Sequence, residues 1–177
     1  MRYCCNKRQK RTKEVTLVFK RAELLYDVEN YSYVEGDIMN PENGHAQHQV
    51  FDIGQSGNVD RVTRVLNLAH SECVEMLYPY TKREVPEEQK PLYDILAEPE
   101  NYIIEMSLPE EFSITTVRLL ENLIHEYLVY RVLADWLSIT YPEKQRNWEE
   151  KLAAARMKMQ TVLVSRRSAL RRKLQPF

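Results

Sequence analysis

The feature that most constrains this chain is a stretch in its last third that is apolar on nearly every side when wound as a helix. After Ser113, the residues Val117, Leu120, Ile124, Tyr127, Leu128, Leu133, Ala134 and Leu137 recur at helical spacing. Ser113 is a favourable N-cap, because its side-chain oxygen can accept from an otherwise unpaired amide of the first turn. A surface helix carries apolar residues on one face only, so the all-round pattern predicts a helix placed centrally and flanked by others. Thr140-Tyr-Pro-Glu143 follows. Thr140 with Glu143 fits a capping box, and Pro142 stands where a first helical turn tolerates proline. A second helix is therefore expected to start near Tyr141, with almost no linker, as a tight helical hairpin or corner. Its Trp148, Leu152, Ala155, Met159 and Val162 are spaced four, three, four and three apart, an a/d seam that meets charge at Arg166. These two segments predict a mainly α fold. The expected architecture is a helical bundle with a tight C-terminal helix pair, one or two short strands and an extended N-terminal arm.

Earlier segments read less sharply. Residues 1–19 are expected to form a basic extended arm, with 20–177 as a single helical domain. Within the arm, the β-branched and apolar run Glu14-Val-Thr-Leu-Val-Phe19 reads as a short strand or extended piece. From Lys20 the period changes, and Ala22, Leu24, Leu25 and Val28 predict a helix over 20–33 with Gly36 as its stop. Asn40-Pro-Glu-Asn-Gly44 and Gly54-Gln-Ser-Gly57 are turn signals enclosing His45 to Ile53. An amphipathic helix follows, carrying Val59, Val62, Val65, Leu66, Ala69, Cys73, Val74 and Leu77, with Asn58 as its expected N-cap and Pro79 as its end. Pro86, Pro91 and Pro99 punctuate a connector over 79–112 around the apolar run 92–97. Within it, Tyr102-Ile-Ile-Glu-Met-Ser-Leu108 is a candidate strand.

Charge is segregated along the chain. Residues 1–21 carry eight Lys/Arg against Glu14, and 156–177 carry seven with no acid, although the whole chain sums to −1. The middle is correspondingly acidic. Basic ends on an acidic body can grip nucleic acid or the acidic body of a neighbouring copy. Bases near a helix C-terminus offset its macrodipole, but Arg166, Arg167, Arg171, Arg172 and Lys173 exceed that need. Phe177 then offers an aromatic that a partner groove can hold. At the other end, Arg2, Lys7, Arg8, Lys10 and Arg11 are candidates for phosphate or acidic-partner contacts. No run approaches the roughly 18 apolar residues that read as a membrane span, and no long apolar run follows the basic start as in a secretory signal. Three cysteines cannot all pair within one chain, which suits free thiols in a reducing compartment.

Motifs for chemistry are scarce. His45, His48, His70 and Cys73 supply metal-ligating types, yet their spacing matches no zinc pattern, and His70 and Cys73 suit an interior helix face equally well. No G-x-S-x-G elbow, P-loop or G-x-G-x-x-G occurs. Glu87-Glu88, Glu110-Glu111 and Glu149-Glu150 stand where acids belong, at helix starts or in wet connectors. The chain thus reads as non-enzymatic, without cofactor or metal. Tyr26, Tyr31, Tyr33, Tyr78, Tyr80, Tyr127, Tyr130 and Trp136 combine an apolar body with a polar tip, which fits an interface and a Tyr-rich core equally.

The helix from Gly57-Asn-Val-Asp-Arg to Leu77-Tyr-Pro and the paired C-terminal helices carry a resemblance at the level of architecture. In the pair, Val132-Leu-Ala-Asp-Trp-Leu137 leads through Tyr141-Pro-Glu-Lys144 into Trp148-Glu-Glu-Lys151, and the chain closes on Arg171-Arg-Lys-Leu-Gln-Pro-Phe177. This arrangement resembles the head–tail connector (adaptor or neck) proteins of tailed bacteriophages. It departs from the shortest of them in its 79–112 connector and its long basic N-terminal arm. The resemblance implies a structural virion protein in the neck, made in the host cytoplasm and forming a homo-oligomeric ring between portal and tail proteins, near DNA and away from membranes. Arg166, Arg167, Arg171, Arg172, Lys173 and Phe177 would then dock on an adjoining ring, while Val15, Leu17 and Phe19 would add a strand to a neighbouring subunit. A nucleic-acid-binding regulatory protein and a cytosolic helical adaptor are the competing readings.

Overall fold

The structure is a computed structural model that describes residues 12–39, 44–78, 80–81, 98–110 and 112–165. In chain order the elements are strand β1 (Thr12–Lys20), helices α1 (Arg21–Ile38) and α2 (Gly44–Phe51), a 3-10 turn (Asp52–Gly54), helix α3 (Ser56–Met76), strand β2 (Asn101–Pro109), and helices α4 (Ile114–Thr140) and α5 (Pro142–Ser165). The fold is mainly α, as its periodicity predicts.

Helix α4 is the centre, and α1, α2, α3 and α5 all pack on it. Leu120, Ile124, Leu128, Leu133 and Leu137 are all but inaccessible, and Leu123, Tyr127, Val129, Val132, Ala134 and Trp136 are buried on its other faces. Burying a large aliphatic side chain contributes about 1.5–3 kcal/mol, so this one helix supplies much of the drive to fold. Its start is fixed by Ser113, whose Oγ accepts from the Thr116 amide at 3.1 Å.

Only Tyr141 separates α4 from α5, and its backbone (φ −148°, ψ 73°) breaks the helix. The chain then turns back along α4. Trp148, Ala155, Met159 and Leu163 are buried in that seam, with Leu152 and Val162 packed beside them. The seam therefore runs one residue past Val162. The expected capping box does not form: Thr140 is the last residue of α4, and its Oγ1 donates to the Trp136 carbonyl at 3.0 Å. A hydroxyl committed to the preceding turn cannot cap the following one, and α5 begins directly at Pro142, where proline's missing amide costs nothing.

Three other helix boundaries differ from the sequence reading. Helix α1 runs to Ile38 and passes through Gly36, which is buried rather than terminal. A Cβ at Gly36 would lie 2.5 Å from the Phe51 ring, so glycine serves here to bring α1 and α2 together. His45 to Ile53, which the sequence reading encloses between turn signals without assigning an element, lie in α2 and the 3-10 turn. Their tertiary hold is the Val50 carbonyl, which accepts from Ser32 Oγ and from Trp136 Nε1, the latter at 3.2 Å. Helix α3 begins at Ser56, so Asn58 is inside it; Asn58 Nδ2 donates to the Asp52 carbonyl at 2.7 Å instead of capping.

β1 and β2 form a two-stranded antiparallel ribbon, in register from Thr12 opposite Pro109 to Lys20 opposite Asn101. Alternation is strict. Leu17 and Phe19 on β1, with Tyr102, Ile104, Met106 and Leu108 on β2, face the core. Glu14, Thr16, Val18 and Lys20, with Asn101, Ile103, Glu105 and Ser107, face outward. The expected arm over 1–19 is thus corrected for residues 12–19. This segment is an integral strand, because β2 supplies backbone partners and the core supplies burial for its alternate side chains.

Candidate functional site

Among the described residues, His70, Cys73, Tyr102 and Tyr127 are engaged in the fold. His70 projects from α3, and its Nε2 lies 3.0 Å from the Ile103 carbonyl on β2, with Tyr102 packed beside its ring. Burial holds the imidazole below its ordinary pKa, against an opposing push from that carbonyl. Cys73, one turn on, is fully buried, and burial first, then the Glu72 carboxylate, drives its thiol well above its ordinary value. A thiol so placed stays protonated and is a poor nucleophile or metal ligand. Tyr127 donates to Glu72 at 2.7 Å, and burial, then that hydrogen bond, raises its pKa. Tyr102 is pushed up to about 12 by burial. Among the described residues, no group of three or more His, Cys, Asp and Glu side chains is placed to hold a metal ion. No described helix is long and apolar enough to cross a membrane. Glu149 and Glu150 stand inside α5, neither at a helix start nor in a connector, and pair with Gln145 and Arg146 one turn back.

The aromatic residues singled out from sequence divide between the two roles open to them, with Tyr31 in between. Tyr127 and Trp136 belong to the core, and Tyr130 and Tyr80 are packed against it. Tyr26 and Tyr33 stand 68% and 61% exposed on α1, and Tyr78 stands 55% exposed beyond α3. Tyr31 lies between the two classes, with its ring edge-on to Trp148 at 5.4 Å and still 41% exposed. Trp148 itself anchors the junction of α1, α4 and α5. Its Nε1 donates to Glu35 Oε1 at 3.2 Å, and Lys151 Nζ lies 3.7 Å from its ring centroid.

Two surfaces remain with unspent binding capacity. The first is the outer face of α1. Tyr33 stacks on Phe51 at 5.1 Å, and with Tyr26, Glu29, Asn30, Gly54 and Gln55 these rings line an open groove of about 470 Å³. Glu29 lines this groove, and α1 also carries Glu23, Asp27, Glu35 and Asp37 against Arg21 alone, with Lys20, His125 and Lys144 beside Glu23, Asp27 and Glu35. Such a face suits a basic, partly apolar partner segment.

The second is the outer edge of β1. The Ser107 amide donates to the Tyr80 carbonyl at 2.9 Å, and the Ile103 carbonyl faces His70, so the odd-numbered residues of β2 turn their backbone groups away from β1. The Arg21 amide donating to the Glu100 carbonyl at 3.0 Å fixes the same phase. In an antiparallel pair, opposite residues point inward together or outward together. Glu14, Thr16 and Val18, opposite Ser107, Glu105 and Ile103, therefore aim their amides and carbonyls outward. Among the described residues, no backbone group pairs with them. Among the described residues, the edge of β2 is partly covered and the edge of β1 is open.

Of the residues singled out from sequence, Val15, Leu17 and Phe19 lie on β1 with their side chains on the core side, Leu17 and Phe19 buried. They do not offer side chains to a partner. What the strand offers is its backbone edge, on the alternate residues. Arg2, Lys7, Arg8, Lys10 and Arg11, and likewise Arg166, Arg167, Arg171, Arg172, Lys173 and Phe177, lie outside the described residues. The α1 groove escapes sequence reading because Phe51 and Gly54 join Tyr26 and Tyr33 only through the packing of α2 on α1. No protein-family model, curated protein or solved structure matches the chain.

Proposed function

We propose that this chain is a structural protein of a tailed-phage neck, a head–tail connector that forms a ring and links portal to tail. The observation that carries the reading is the pairing of unlike surfaces on one small helical body. Helix α1 presents acidic and aromatic residues, while the chain beyond Arg156 is wholly basic among its charged residues and ends in Phe177. A chain with an acidic, ring-lined helix and a basic C-terminal stretch is suited to head-to-tail contacts between copies, which close into rings when the rotation permits. Under this reading the basic end docks on an adjoining protein, and the charged groups govern assembly rather than chemistry.

Light scattering on the full chain, alone and with portal or tail proteins, tests the reading. High-order oligomers or co-assembly are expected, and Arg171→Glu/Arg172→Glu should prevent incorporation while leaving thermal unfolding unchanged. The same bases also favour a second reading, a nucleic-acid-binding regulator. In that case an uncomplexed chain would bind duplex DNA with an affinity falling steeply with salt. A chain that neither assembles nor binds DNA would leave both readings without support.

A further inference from the structure

We infer that the open edge of β1 is a two-fold contact, at which a second copy of this chain adds its own β1 antiparallel to the first. The contact lies on a different element from the α1 groove and does not rest on the ring.

Three observations lead to a second copy. First, the edge is long, β-branched and free of proline, with Glu14, Thr16 and Val18 turning backbone donors and acceptors outward. An edge of this kind is a ready-made template for pairing with another strand. Second, head-to-tail growth of the sheet is obstructed. That growth would need β1 of one copy to reach the outer edge of β2 in the next, where Ser107 is already bonded to Tyr80 and Ile103 to His70. Pairing of this edge with another copy is therefore left to β1 itself. Third, the strand is self-complementary about Leu17. An antiparallel copy centred there places Glu14 opposite Lys20 at both ends and Thr16 opposite Val18 on the same face. The phase agrees as well, since those residues are the ones whose backbone groups point outward. Centring on Thr16 instead would set Glu14 against Val18 and leave Lys20 opposite Thr12, wasting both charges. An isologous interface requires this kind of self-match.

The result is a continuous four-stranded sheet, β2–β1–β1–β2, with Val18 and Ile103 of one copy set diagonally across the two-fold axis from those of the other on its outer face. Lys20 also pairs with Glu23 at 2.8 Å, both largely exposed, and that contact yields readily to a cross-strand carboxylate.

Breaking a two-fold contact halves the mass of whatever assembly contains it, a dimer to a monomer or a back-to-back double ring to a single one. The experiment is therefore the mass of the full chain, by sedimentation or light scattering over a concentration series. Thr16→Pro removes an outward amide without touching the β1–β2 ladder, so the mass should fall twofold while circular dichroism and thermal unfolding stay as in the wild type. Should that variant fold poorly, charge variants serve the same purpose. Glu14→Lys and Lys20→Glu each place like charges across both symmetry-related pairs and should weaken association about tenfold, while the double swap restores it. A ring that fails to form leaves this prediction intact. A wild-type chain that is monomeric throughout overturns the inference. So does an assembly whose mass is indifferent to Thr16→Pro and to both charge variants.

Discussion

The α4–α5 hairpin and the β1–β2 ribbon are both antiparallel pairs, yet they are held in opposite ways. In the hairpin a single residue, Tyr141, joins two long helices, and each helix satisfies its own backbone bonds before the two meet. Only side chains are left to pair, and Trp148, Ala155, Met159 and Leu163 do so through apolar packing. In the ribbon the partners are Lys20 and Asn101, drawn from distant parts of the chain, and every backbone bond depends on both. The ordering entropy of three helices lies between them. Two consequences follow. The hairpin needs no distant backbone partner and gives the fold much of its buried surface. The ribbon joins segments that α1, α2 and α3 separate, and among the described residues its β1 edge is unfilled, which makes it the natural place for intermolecular contact.

The contrast can be broken most forcefully at Trp148. Trp148→Ala should cost about 3–5 kcal/mol, since it empties the junction of α1, α4 and α5 and strips Glu35 of its indole partner. Denaturant unfolding would register this as a lower midpoint with little change in slope. A loss under about 1 kcal/mol would mean the junction is not the keystone described here.

A sharper test separates tertiary fit from helix propensity. At Gly36 an added methyl meets the Phe51 ring, so Gly36→Ala should destabilise by about 1–3 kcal/mol despite alanine's better propensity. Phe51→Leu in the same chain should relieve much of that. Nothing lies within 4 Å of the corresponding position at Gly57, so Gly57→Ala should stabilise by up to about 1 kcal/mol. Equal signs at the two glycines would refute the packing argument.

Smaller again is the cap. Ser113→Ala removes the acceptor for the Thr116 amide and should cost about 0.5–2 kcal/mol, with Ser113→Asp close to neutral. Thermal scans of the three chains decide it. The slightest effect should come from His70, at the edge of the ribbon. Its folded pKa lies below its ordinary value through burial, so the unfolded chain binds the proton more tightly. Its contribution is complete above the ordinary histidine range and is lost as pH falls below about 6.5 toward the depressed folded value. His70→Gln should flatten that limb of the stability–pH curve and leave the rest unchanged.

The hairpin was legible in the residues because all of its instructions are local. Period, cap and proline lie within one stretch, and the all-round apolarity of 117–137 places α4 at the centre. Thr140 shows where local reading stops. Its spacing to Glu143 suits a capping box, but the hydroxyl has a nearer acceptor in the Trp136 carbonyl. Gly36 and residues 44–54 show the same limit in another form. A glycine and two turn signals look like chain breaks until Phe51 lies against Gly36 and Ser32 and Trp136 both donate to the Val50 carbonyl. The exposed Tyr26 and Tyr33 and the buried Tyr127 and Trp136 belong to similar residue classes in similar local patterns, so only packing tells them apart.

By itself, then, the sequence determined the mainly helical class, the central α4, the C-terminal hairpin, the two strand segments and the segregation of charge. These depend on periodicity and on residues within a few turns of one another. Tertiary structure alone decided that β1 pairs with β2, in which register, and which backbone edge stays open. It also decided that Phe51 and Gly54 complete a groove with Tyr26 and Tyr33. Such features arise where residues distant along the chain compete for the same donors, acceptors and volume, and that competition is settled only when the whole core is assembled.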